Sequence, residues 1–126
     1  MTARALVPSR EDARFALGAA VLFALAFPPV PLIGPAFVCL APLAVLIARK
    51  ADANASIFES ARVTFWFGVV AYGLSVHWIA TALAIYTKLA ILGWLAATLV
   101  LGMVLFAVGA LLHVARRASR WPMAID

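Results

Sequence analysis

Charge is what this sequence has least of. Only 12% of its 126 residues are charged, whereas 67% are hydrophobic and the mean hydropathy is +1.08. A soluble domain is roughly half apolar and a quarter charged, so water cannot solvate a surface of this composition and lipid must do it. Acids are scarcer still: five Asp and Glu in all, with Glu11 and Glu59 at the ends of apolar runs and none at a run's centre. That argues against a small four-helix membrane transporter, because proton-coupled exporters need a carboxylate buried mid-membrane; a non-catalytic membrane subunit needs no such group and stays open as an alternative. One cysteine, Cys39, excludes an internal disulfide. It lies in the apolar run 35–48 with no His, Asp or Glu nearby in sequence to activate it, and reads as a small packing hydrophobe. HExxH, CxxC, a phosphate loop and GxSxG are all missing. No catalytic residue, metal ligand or cofactor is therefore expected in this chain.

What is present is four apolar segments separated by basic clusters. The first, about 14–28, follows Arg4, Arg10 and Arg14 and ends at Pro28, Pro29 and Pro31, with Gly34 and Pro35 beyond. Proline removes a backbone donor and clashes with the preceding turn, so a helix breaks here. The second, about 35–48, stops at Arg49 and Lys50, and a polar stretch over 51–62 follows. The third covers about 62–85, and only Lys88 separates it from the fourth, about 89–115, which runs into Arg116, Arg117 and Arg120. A hydrocarbon core of ~30 Å takes ~20 helical residues. The third and fourth segments meet that length. The first two are short, and either span with polar ends or enter and return.

The basic residues set the orientation. In a four-pass arrangement Arg4, Arg10, Arg14, Arg49, Lys50, Arg62, Arg116, Arg117 and Arg120 share one side, and Lys88 stands alone on the other. By the positive-inside rule both termini face the cytoplasm. The expected architecture is one all-α integral membrane domain over 1–126 with four transmembrane helices, the first two a short Pro-broken hairpin. The net charge of +5 and the pI near 10.4 then reflect attraction to anionic headgroups, with membrane phospholipids as partners and no nucleic acid. Ala24-Leu25-Ala26 resembles a signal cleavage site, but another apolar helix follows instead of a secreted domain, so an uncleaved first helix is expected.

Aromatic and small residues agree with this layout. Trp66 is placed near the cytoplasmic interface, Trp78, Tyr86 and Trp94 near the outer one, and Trp121 among the terminal basic residues, where indoles prefer the headgroup level. Ala71 and Ser75 on the third helix, and Thr98, Gly102 and Gly109 on the fourth, are spaced for close helix contact, which drives association in lipid. Tyr72, Ser75 and Thr81 read as packing or back-bonding groups, and Asp52 and Glu59 as solvated loop acids. His113, beside Arg116, reads as an interface residue. His77 is the one ionisable side chain well inside an apolar helix, towards the outer face. Such a group faces the bundle or a cavity, or hydrogen-bonds a neighbour. With Trp78 it forms the candidate substrate-binding pair.

Two stretches carry a family resemblance. Residues 25–46, Leu-Ala-Phe-Pro-Pro-Val-Pro-Leu-Ile-Gly-Pro-Ala-Phe-Val-Cys-Leu-Ala-Pro-Leu-Ala-Val-Leu, resemble the first helical hairpin of apolipoprotein N-acyltransferases. Residues 65–79, Phe-Trp-Phe-Gly-Val-Val-Ala-Tyr-Gly-Leu-Ser-Val-His-Trp-Ile, resemble that family's third helix, and 120–125 resemble the run into its next one. The resemblance implies a bacterial inner-membrane enzyme that moves an acyl chain from phospholipid to the N-terminal amine of lipoproteins. Its nitrilase-like domain carries a Cys nucleophile acting with Glu and Lys through a thioester. None of the three maps onto Cys39, Glu59 or Lys88. The chain is therefore expected to be a membrane part, inactive by itself, whose partners are lipoprotein substrates and a nitrilase-like domain encoded downstream. His77 stands where the family more often has Tyr or Asn, and Ala84-Ile-Tyr-Thr-Lys88 replaces a Gly-containing loop.

Overall fold

The computed structural model of the chain describes residues 7–25, 34 and 38–120. Within them lie five helices and no strand. The proline-rich break, Arg4 and Trp121 fall outside the described residues.

Helix α1 spans Arg10–Ala24, four residues earlier than the apolar run suggests. Its start follows from capping: the Ser9 hydroxyl accepts the Asp12 amide at 3.2 Å, and Glu11 and Asp12 occupy the positive first turn. Helix α2 spans Ala41–Asp52, with Pro42 in its first turn and Arg49 and Lys50 in its last. It ends where Asn54 adopts a left-handed φ of 55°. The amides of Asn54 and Ala55 then close back on the carbonyls of Ala51 and Lys50 at 3.2 and 2.9 Å. This double bond pattern satisfies carbonyls that a helix end otherwise orphans, and Asn tolerates the conformation.

Helix α3 spans Ile57–Ser75 and is capped by Ser56, whose hydroxyl accepts the Glu59 amide at 3.3 Å. The polar stretch over 51–62 is thus mostly helical, reduced to a turn at 53–56. Nor is the expected 62–85 helix continuous. It breaks at Val76, and α4, His77–Ala84, leaves α3 at 47°. The residues at the break explain it. Nδ1–H of His77 donates to the Leu74 carbonyl at 2.5 Å, the acceptor that the Trp78 amide would take in an unbroken helix. The Ser75 hydroxyl also bonds back to the Ala71 carbonyl at 2.7 Å, a contact that bends helices. Helix α5 then runs over Leu89–Arg120, its first amide held by the Thr87 hydroxyl at 3.2 Å.

The core forms where α1, α2 and α3 meet. Ala16, Ala19 and Ala20 of α1 pack on Leu43, Leu46 and Ile47 of α2 and on Val63, Phe67 and Ala71 of α3. Phe23 of α1 sets its edge against Phe67 and Tyr72, with ring centroids at 6.2 and 5.5 Å. α5 lies antiparallel to α3 along its whole length. Among the described residues α5 alone is an unbroken helix long and apolar enough to cross a membrane, over Leu89–Ser119, and α3 with α4 passes the same test as a bent pair. Only 17% of its most apolar stretch is buried inside the chain, so most of that stretch is left uncovered by the described residues.

Candidate functional site

The α3–α5 seam is built by small side chains. Gly68 of α3 faces Gly102 and Leu105 of α5; a methyl group there would lie 2.8 Å from Leu105 Cδ1 and 3.1 Å from Gly102 Cα. At Gly102 a methyl would lie 2.7 Å from Val69 Cγ2. Gly109 receives Thr64, whose hydroxyl and methyl occupy the space a side chain would need. Close backbone approach replaces the hydrophobic drive that lipid removes. Ala71, Ser75, Thr98, Gly102 and Gly109 are all buried, as their spacing suggests. At the far end of the seam Trp94 Nε1 donates to the Gly73 carbonyl at 3.3 Å.

The seam closes on a polar pair that sequence reasoning missed. His113 is 0% exposed, and its Nδ1 meets the hydroxyl of the equally buried Ser60 at 2.7 Å. His113 therefore packs inside the seam, with its side chain turned away from the surface. The signal was legible: it lies four residues beyond Gly109, on the continuation of the α5 stripe. Just outside this pair the charged residues converge. Lys50 reaches Asp12 at 2.9 Å and Glu59 at 3.6 Å, joining α1, α2 and α3. Arg116 clasps Asp52 through Nε and Nη2 at 3.3 and 3.4 Å, and Arg117 donates to the Ala55 carbonyl at 3.2 Å. Asp52 and Glu59 are ion-paired structural acids. The start of α1, the end of α2, the start of α3 and the end of α5 thus share one end of the bundle.

The opposite end holds the two residues singled out as a substrate site. His77 and Trp78 open α4, which buries none of its residues. Trp78 is 56% exposed, in an apolar rim with Ile79, Leu83, Ile85 and Tyr86. The imidazole of His77 is exposed and held by Leu74. The two are neighbours in sequence, share no hydrogen bond among the described residues, and each has its backbone carbonyl bonded by the Thr81 hydroxyl. Thr81 bonds back to the Trp78 carbonyl at 2.9 Å. Trp66 sits midway along α3 and is half-buried. Cys39 is buried, and no cluster of three His, Cys, Asp or Glu able to hold a metal occurs among the described residues.

A bent helix bearing an exposed aromatic rim, a small-residue seam and a gathered basic end describe a membrane domain without naming one. The family described as apolipoprotein N-acyltransferase N-terminal domain matches residues 19–125. The chain belongs to that family. Searches of curated proteins and of solved structures find no match. In this apolipoprotein N-acyltransferase N-terminal domain the match takes in Ala19 and Ala20 of the α1 core, the α3–α5 seam and the exposed rim of α4, and begins after the basic first turns of α1.

Proposed function

We propose that the chain is the membrane-embedded N-terminal part of an enzyme that moves an acyl chain from a phospholipid to the N-terminal amine of bacterial lipoproteins in the inner membrane. The observation that carries this reading is the family match over 19–125. Four passes, made by α1, α2, the α3–α4 pair and α5, with both termini cytoplasmic, are supported by the gathering of the basic groups of four helix ends at one end of the bundle. Trp78 and His77 then lie towards the outer leaflet. There Trp78 and its apolar neighbours contact the acyl chains of donor and acceptor, while a nitrilase-like domain supplies the nucleophile. The chain contributes binding and orientation, and no covalent step.

Acyl transfer by the purified chain in phospholipid vesicles tests this directly, with a diacylated lipoprotein peptide as acceptor. The chain alone transfers nothing, and Cys39→Ser behaves as the parent does. Transfer appears when a nitrilase-like domain bearing Cys, Glu and Lys is joined to it. A thioester trapped on Cys39, or a joined enzyme that stays inactive while correctly inserted, defeats the proposal.

A further inference from the structure

Two open apolar grooves run along α1, one on each flank. The first, about 700 Å³, lies between α1 and the start of α2, against Phe15, Gly18, Leu22 and Pro42. The second, about 360 Å³, lies between α1 and α3, against Ala13, Ala16, Trp66 and Val70. Leu17 is a wall of both, so it forms the ridge that divides them. At ~100° per residue, Arg10, Arg14, Leu17 and Val21 fall in one stripe along that ridge, and all four are exposed. Two cations therefore cap a ridge with an apolar channel on either side.

These cations are also uncommitted. Lys50 is taken by Asp12 and Glu59, and Arg116 by Asp52, whereas neither Arg10 nor Arg14 has an ion-pair partner among the described residues. Of the acids near them, Asp12 points into the bundle at Lys50, leaving only Glu11 on the exposed turn. From Arg14 to Leu22 the first groove descends about 12 Å at ~1.5 Å per residue, close to the ~15 Å of one leaflet of the hydrocarbon core. A methyl at Gly18 would meet nothing within 4 Å, so the channel floor is open there.

We propose that α1 is a saddle for one diacyl phospholipid of the leaflet at the basic end, its phosphate between Arg10 and Arg14 and one acyl chain on each side of Leu17. Phosphate recognition by a juxtamembrane basic pair is ordinary electrostatics, and the ridge adds a requirement for two chains. This lipid lies at the opposite end from Trp78 and is bound, not consumed. The inference rests on the membrane placement of the chain and is independent of acyl transfer.

Native mass spectrometry of the full chain, titrated in detergent with dioleoyl phosphatidylglycerol, its single-chain lyso form or inorganic phosphate, tests it. The parent holds one diacyl lipid, prefers it to the lyso form and ignores phosphate. The double variant R10Q/R14Q weakens binding about thirty-fold, the loss of two headgroup cations. Gly18→Leu fills one groove and abolishes the preference for two chains, while Lys88→Gln at the other end changes nothing. Circular dichroism verifies helical content in each. Equal affinity of R10Q/R14Q and parent, equal binding of the lyso form by the parent, an equal loss in Lys88→Gln, or a chain–chain dimer covering Leu17 overturns the proposal.

Discussion

Ser60 and His113 stand 53 residues apart in sequence and share a buried hydrogen bond of 2.7 Å. His113 Nε2 is buried without a hydrogen-bond partner, so the Ser60 contact carries the ring's polarity. Ser60→Ala should lower stability by about 1–3 kcal/mol, the cost of leaving a buried polar atom unsatisfied. The double variant with His113→Leu should recover part of that loss. Unfolding in mixed micelles across a double-mutant cycle measures it. A coupling near zero would show that the pair contributes nothing to the seam.

The glycines divide by what surrounds them. Gly109→Ala drives a methyl into Thr64, whose hydroxyl is fixed to the Ala61 carbonyl at 2.9 Å and cannot turn freely. Overpacking of this kind costs about 1–3 kcal/mol. Gly93→Ala meets nothing within 4 Å, and should be neutral or stabilise the helix by up to ~1 kcal/mol. Thermal unfolding of the two variants side by side separates the cases. Equal behaviour would mean that α3 and α5 do not approach as closely as described.

Orientation is open to chemical labelling. Cysteines placed at Asn54 and Ser119, in a Cys39→Ser background, should be shielded from an impermeant thiol reagent in intact cells. One at Thr87 should react. Labelling at Asn54 would rule out a four-pass chain with cytoplasmic termini.

Trp78 can be an interfacial anchor or an acyl-chain contact, and function tells these apart. Trp78→Phe and Trp78→Leu should impair lipoprotein acylation by the joined enzyme without lowering its membrane level. His77→Tyr should be tolerated. His77→Leu should straighten the junction at Val76 by releasing the Leu74 carbonyl, visible as a longer helix in amide exchange. Full activity in every Trp78 variant would leave the residue an anchor only.

Much of this architecture is legible in the sequence because lipid enforces simple rules. The apolar runs, the basic clusters that meet at one end and the small residues of the seam follow from length, charge and size alone. What escaped has local causes. Ser9 and Ser56 start their helices inside polar stretches, because a cap depends on one side chain and not on average hydropathy. The break at Val76 depends on a single imidazole taking a carbonyl from the backbone ladder. The burial of His113 escaped because its neighbours Arg116 and Arg117 suggested the surface, whereas the stripe through Gly109 leads into the seam. For the candidate site, the sequence pointed to His77 and Trp78, and the structure sets them at the exposed start of α4, which buries none of its residues.

The back-bonded hydroxyls of α3 also bear on how the chain is made. Thr64 and Ser75 each donate to carbonyls of their own helix, at 2.9 and 2.7 Å. α3 precedes α5 in the chain, so these hydroxyls are satisfied within their own helix before the other side of the seam has been synthesised. His113, near the end of α5, instead finds its partner across the seam, in Ser60 of α3. The polar lock is thus the last part of the bundle to arrive, and a nascent chain cut short before it would keep its helices yet lack the catch that fastens them.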